Sequence, residues 1–148
     1  MFHQNLENFR SNKIMLNFIG EKKNLPKKIL NLLKIYKDKT YKKKRKLLIN
    51  IAFNYSSKKE ILNALKKIGK DKNKINIYNF EKNLYTSLSG NLDFIIRTGG
   101  FNRLSDFLLW QCSYSEIFFL KKLWPDFKVS DLKKIINKYK TIKKNYGS

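Results

Sequence analysis

Residues 47–69 read LLINIAFNYSSKKEILNALKKIG, and the change of hydrophobic period inside them decides the fold class. The first seven, 47–53, are a near-continuous apolar run of the kind expected for a parallel strand covered on both faces, which predicts a central place in a sheet. Ser56 or Ser57 can cap the helix that follows, with Glu60 at capping-box distance. Ile61, Leu62, Leu65 and Ile68 then recur as an apolar stripe before Gly69 supplies a stop signal.

Working outward, the same alternation repeats. Residues 14–19 (IMLNFI) predict a strand, Gly20 a turn, and Leu25-Pro26 the opening of a helix whose Ile29, Leu32, Leu33 and Tyr36 share one face. Residues 42–46 (KKKRK) precede the central strand. Downstream, 70–74 read as a polar loop, 80–85 as a short helix and 93–97 (DFIIR) as a third strand. Gly99-Gly100 break the chain, 104–112 (LSDFLLWQC) predict a helix, and 116–120 (EIFFL) a fourth strand. Residues 130–144 predict a last amphipathic helix carrying Leu132, Ile135, Ile136 and Tyr139. Strands alternating with helices imply an α/β fold, a parallel sheet flanked by helices, and the 148 residues are expected to form one domain. There is no internal repeat and no long linker.

Hydrophobic residues make up 42% of the chain and aromatics 14%, which is too much apolar surface for a disordered tail. Lys and Arg number 33 against 11 Asp and Glu, a net charge of +22. That balance suits polyanionic partners, and it equally suits lysines gathered at tolerant surface positions, since they are spread along the whole chain. The single cysteine, Cys112, excludes an intrachain disulfide; it fits a small buried hydrophobe in a reducing compartment. No apolar run reaches 18 residues, and the opening MFHQNLENFRSNK has no apolar signal-peptide core, so a soluble cytoplasmic protein is expected.

The densest cluster of unusual choices is 97–105, RTGGFNRLS. Arg97 closes a strand, two glycines permit a tight turn, and Arg103 and Ser105 follow where a helix is expected to begin. Ligands of open α/β sheets bind beyond the carboxyl ends of strands, and a helix start with nearby arginines suits a phosphate or diphosphate. The alternative is that both arginines pair with surface carboxylates and the glycines only make a turn.

Residues 93–127, DFIIRTGGFNRLSDFLLWQCSYSEIFFLKKLWPDF, resemble almost residue by residue the signature block of cis-prenyltransferases, the undecaprenyl diphosphate synthases and their dehydrodolichyl relatives. Residues 16–26, 47–65 and 83–87 resemble further blocks of that family in order and spacing, so the likeness runs from about residue 14 to the end. It implies a polyprenyl diphosphate synthase that adds isopentenyl diphosphate in cis to an allylic diphosphate. By matching position, Arg97, Arg103, Leu104 and Ser105 would hold the diphosphate of isopentenyl diphosphate, and Glu116 would help hold Mg²⁺. Ile51, Phe53 and aromatics near Phe107 are candidates for a product tunnel, or plain core. A homodimer or a complementing chain, and peripheral membrane contact, are implied as well.

The likeness has departures. The family's Asp-Gly-Asn-Gly-Arg loop, whose aspartate binds Mg²⁺, has no counterpart here, and residues 2–12 read as the end of a helix. Phe101 stands where bacterial members usually have Glu, Asp106 where many have Asn, and Ser56-Ser57 where many have Gly-Gly. Asn145-Tyr146-Gly147 aligns with an Arg-x-Gly that reaches a partner's diphosphate, a bidentate contact that Lys144 replaces only in part. These readings predict a truncated or split form, sticky along an uncovered sheet edge. The alternatives are a non-catalytic partner subunit of a heteromeric enzyme and, from another class, a basic nucleic-acid-binding module built on KKKRK, although no nucleic acid is expected.

Overall fold

Two parallel strand pairs carry the structure. This computed structural model describes residues 2–23, 25–40, 45–69 and 75–143, without side chains for 2–6 and 37–40. The chain divides into two compact units, Met1–Ser89 and Gly90–Ser148, each of which is α/β.

In the first unit α1 (Phe2–Ser11) leads to β1 (Ile14–Gly20), α2 (Lys27–Thr40), β2 (Leu47–Phe53), α3 (Ser57–Ile68) and α4 (Ile77–Asn83). β1 and β2 are parallel, in a register that runs from Ile14 opposite Leu47 to Gly20 opposite Phe53. The connection between them is the helix that a parallel crossover usually needs. Pro26 precedes α2, and its carbonyl accepts the N–H groups of Ile29 and Leu30 at 2.9 and 3.1 Å. Buried Leu16 and Tyr36 join β1 to α2, with Phe9, Ile14, Phe18, Ile49 and Ile51 packed around them.

The more buried strand is β1. Met15, Leu16, Asn17 and Ile19 are buried, whereas β2 is only half-buried, with Leu47 and Ala52 exposed. Among the described residues β2 pairs with β1 alone, so the central place expected from its apolar run is not observed. The reason lies in the helices: α1 and α2 both pack on β1. Asn17 is 8% exposed; its Nδ2 donates to Asn50 Oδ1 at 2.8 Å, and Asn50 Nδ2 donates to Ser89 Oγ at 2.5 Å. A buried amide belongs in a strand only if it is hydrogen-bonded in this way.

α3 starts as its sequence predicts, with one change of partner. Ser56 is the cap, its Oγ accepting the Lys59 N–H at 3.2 Å. Glu60 does not close a capping box: it is 1% exposed, accepts the Tyr85 N–H at 2.7 Å on Oε1, and accepts the Tyr55 hydroxyl on Oε2. The stripe also rotates. Ala64, with Ile61 and Ile68, packs against Phe80 and Leu84 near α4, while Leu62 and Leu65 face outward.

In the second unit β3 (Phe94–Arg97) pairs in parallel with β4 (Glu116–Phe119), Phe94 opposite Glu116 and Arg97 opposite Phe119. A short 3-10 turn, Trp124–Asp126, precedes α5 (Val129–Lys140), whose Ile135 is buried. Tyr139 of α5 lies against the Phe94 ring at 5.1 Å and donates its hydroxyl to Asp93 Oδ1 at 2.8 Å. Residues 98–115, which join the two strands, are turns, so the helix expected over 104–112 does not form. Ser105, Asp106 and Leu108 have φ of 50°, 62° and 49°, values that a right-handed helix cannot contain. Asp is among the residues that visit this region most readily. Cys112, expected to be buried, is only partly so, and its Sγ donates to the Leu109 carbonyl at 3.3 Å.

No helix among the described residues is long and apolar enough to cross a membrane. The basic run KKKRK is described only from Arg45, which donates Nη2 to the Leu88 carbonyl at 2.9 Å. The loop 70–74, Lys144 and the 145–147 segment lie outside the described residues.

Candidate functional site

The site grows from the carboxyl end of β3. Parallel strands leave their last residues at one end, where the chain must turn away. Gly99 and Gly100 make that turn with φ of 96° and 80°, conformations that glycine adopts without steric cost. Their N–H groups donate to the Lys122 and Leu120 carbonyls, each at 2.9 Å, so the turn is fastened to the segment after β4. The fastening continues outward: Lys122 Nζ donates to both carboxylate oxygens of Asp131 at 2.9 and 2.8 Å, and Asp131 accepts the Lys128 N–H at the start of α5. The Lys122 ammonium first, and the Lys128 N–H second, hold the Asp131 carboxyl below its ordinary value of 3.8.

On this fixed turn stand two guanidiniums and a phenyl ring. Arg103 lies over the Phe101 ring, 4.2 Å from guanidinium carbon to centroid, and Arg97 lies over the same ring at 5.9 Å. Neither arginine makes an ion pair among the described residues, and none joins Arg103 to Asp106. Arg97 Nε is buried and has no hydrogen-bond partner. Such an orphan donor costs about 1–3 kcal/mol unless something accepts from it. Ser105 is exposed, in the left-handed region, and its hydroxyl has no partner among the described residues. Leu104 is half-buried, and its carbonyl accepts the Phe107 N–H at 3.2 Å. Two cations, an orphan N–H and a free hydroxyl on a strained turn form a donor set for an anion.

Glu116 is not part of this cluster. It opens β4 at the level of Phe94, while Arg97 closes β3 three residues on, about 10 Å along the strand. Side chains alternate between faces, so position 97 points away from the face that Phe94 and Glu116 share. On that other face Phe94 meets Phe118, centroids 5.9 Å apart, and Tyr139 of α5. The structure therefore brings Arg97, Phe101 and Arg103 together and sets Glu116 apart by both end and face.

Among the residues proposed to line a tunnel, Ile51 belongs to the first unit's core and Phe53 meets Phe18 with centroids 6.0 Å apart. Phe107 is 40% exposed in the second unit. Phe101 is the residue whose importance the sequence did not reveal. It stands out there only as a departure from a familiar Glu, since nothing in its spacing announces that two guanidiniums will gather on it.

Comparison with known proteins accounts for nearly the whole length of the chain. Residues 1–147 match the prenyltransferase family described as "Putative undecaprenyl diphosphate synthase", so the likeness begins earlier than residue 14. An isoprenyl transferase of Thermotoga maritima is 39% identical over 99% of this chain and 65% of its own length. A "probable undecaprenyl diphosphate synthase" of Campylobacter jejuni superposes with a TM-score of 0.85 at 32% identity, covering 99% of this chain and 69% of that one. Lavandulyl diphosphate synthase from Lavandula x intermedia, solved with dimethylallyl diphosphate, gives 0.89 at 26% identity, covering 99% and 66%. The chain spans 56–65% of the length of the first three curated relatives. With its parallel strands, its RTGGFNRLS turn and a match from residue 1 to residue 147, the chain belongs to the undecaprenyl diphosphate synthase family of prenyltransferases.

Proposed function

We propose that this chain serves polyprenyl diphosphate synthesis by holding the diphosphate of isopentenyl diphosphate between Arg97 and Arg103. The observation that carries the reading is the pair of guanidiniums without ion pairs, gathered on one ring beside the glycine turn. Arginine presents a planar fork of N–H donors that matches phosphate oxygens in pairs. Ser105 adds a hydroxyl, Leu104 flanks the turn with an apolar side chain, and Arg97 Nε gains the acceptor it lacks.

In the proposed reaction an allylic diphosphate loses pyrophosphate, and the isopentenyl double bond attacks the resulting allylic carbon to give a cis alkene with loss of a proton. The arginines' part is to fix the diphosphate end of isopentenyl diphosphate, so that its double bond keeps one position relative to that carbon. The Mg²⁺ ion that the family implies finds no site beside them: no cluster of three His, Cys, Asp or Glu side chains occurs among the described residues, and Glu116 stands at the other end of the strand pair. Its proposed role as a Mg²⁺ ligand rests on its place in the SYSEIFF motif, and the arginine grip works without it. A second copy or a complementing chain, and contact with a membrane that receives the product, belong to the same proposal.

The test is binding and turnover together. Isopentenyl diphosphate titrated into the chain should bind, and Arg97→Ala or Arg103→Ala should weaken it roughly tenfold to hundredfold, the loss expected for charged hydrogen bonds. Labelled isopentenyl diphosphate should enter polyprenyl product with farnesyl diphosphate and Mg²⁺ when the chain is combined with the N-terminal segment of a full-length relative. Binding that is indifferent to both substitutions overturns the assignment.

A further inference from the structure

The guanidinium pair raises a physical question that the diphosphate reading leaves open: what keeps two like charges close together when no carboxylate pairs with either among the described residues? Arginines brought together repel unless something between them favours both. Among the described residues, the ring that lies under both cations is that of Phe101. An aromatic face carries negative potential and attracts a cation placed over it within about 6 Å, and both guanidiniums meet that condition, at 4.2 and 5.9 Å.

The choice of a ring has a consequence for binding. A carboxylate between the arginines would accept their N–H groups and cancel a charge, competing with any incoming anion. The ring attracts through its face and accepts no strong hydrogen bond, so the N–H donors stay available. The buried, partnerless Nε of Arg97 shows that at least one donor is indeed left over. Phe101 is itself 51% exposed, so its contribution to core burial is small.

We infer that Phe101 is a positioning residue: its ring holds Arg97 and Arg103 together as a ready-made site for a diphosphate. This rests on the diphosphate reading above, and the experiment separates the two. Inorganic pyrophosphate is titrated calorimetrically into the full 148-residue chain and into Phe101→Leu, Phe101→Tyr and Arg103→Ala, each first shown to melt cooperatively. Phe101→Leu should bind roughly fivefold more weakly, the effect of removing a cation–π contact at a partly exposed site. Phe101→Tyr, which keeps the ring, should restore binding to within about twofold of the parent.

Leu and Tyr at the parent's affinity, with Arg103→Ala strongly impaired, overturn the role of the ring and leave the diphosphate reading standing. Equal weakening by Leu and Tyr also overturns it, since shape and not the π-face would then matter. Pyrophosphate binding that is absent, or unaffected by Arg103→Ala, removes both readings at once. A further readout needs no variant: the ring current of Phe101 should move the Arg103 side-chain proton resonances upfield, and unshifted resonances overturn the proposal whether or not Phe101→Leu folds.

Discussion

Gly20 and Gly99 adopt the same dihedral, φ +96°, at the carboxyl ends of β1 and β3, yet their surroundings have little in common. A Cβ built on Gly20 would stand 2.1 Å from the Phe53 carbonyl oxygen and 3.2 Å from the Tyr55 Cα. The same atom on Gly99 would meet nothing within 4 Å. The first unit ends its strand against packed backbone, and its polar groups are absorbed by one another, Asn17 by Asn50 and Glu60 by two tyrosines. The second unit ends its strand in open space, keeps three non-glycine residues at positive φ, and leaves two arginines without counter-ions among the described residues. One unit spends its unusual backbone on packing and the other on presenting donors, which teaches that a shared dihedral says nothing of its purpose until the neighbouring atoms are known.

Substituting both glycines tests this contrast, and the larger effect belongs to Gly20. Gly20→Ala should lower stability by about 4 kcal/mol, because backbone strain adds to a clash that only a backbone shift relieves. Gly99→Ala should cost about 1–2 kcal/mol, the left-handed penalty of a residue with a Cβ and no clash. Urea denaturation of the two variants checks both; equal losses would break the comparison.

Glu60 sharpens it from the polar side. Glu60→Ala should cost about 3 kcal/mol, since it takes a buried acceptor from the Tyr85 N–H and the Tyr55 hydroxyl and leaves a cavity. Glu60→Gln keeps the shape and one acceptor oxygen, so about 1 kcal/mol is expected. If the carboxylate were serving a ligand instead, either change would spare stability and impair binding, which is the behaviour expected of Arg103→Ala in the second unit.

Much of the first unit was legible in the sequence, because burial there follows periodicity: 14–19 and 47–53 became strands, Ser56 a cap, and Leu33 and Tyr36 the inner face of α2. Periodicity misled where two faces of a helix were both apolar. Leu62 and Leu65 carry as strong a signal as Ile61 and Ile68, and only packing against Phe80 chose between them. In the second unit the strands and the last helix were legible for the same reason. The crossover was not, since LSDFLLWQC has helical composition and its left-handed residues at 105, 106 and 108 follow from tertiary context. Arg97 and Arg103 could be picked out through the motif, but their meeting on Phe101 needed coordinates. So did the separation of Glu116, which is three register positions and one face away, a distance that linear spacing conceals.

The smallest expected effect concerns how firmly the second unit's turn is held. Lys122 accepts the Gly99 N–H on its carbonyl and grips Asp131 with its ammonium, so the ion pair links the glycine turn to the start of α5. Because this bond lowers the Asp131 pKa in the folded state from 3.8, the unfolded chain takes up the proton first as pH falls. The pair's contribution is therefore complete above pH 3.8, declines as pH drops through the lowered folded value, and is gone below it. Asp131→Asn should melt slightly below the parent at neutral pH, and the gap should close as pH falls below 3.8. Subtracting one melting curve from the other at each pH isolates this carboxylate from the rest. The pair lies at the surface, so added salt should narrow the gap at neutral pH as well. A gap that persists in acid would mean that Asp131 acts through the helix start, by the Lys128 N–H that an Asn can also cap, and that the Gly99 turn is held by its backbone bonds alone.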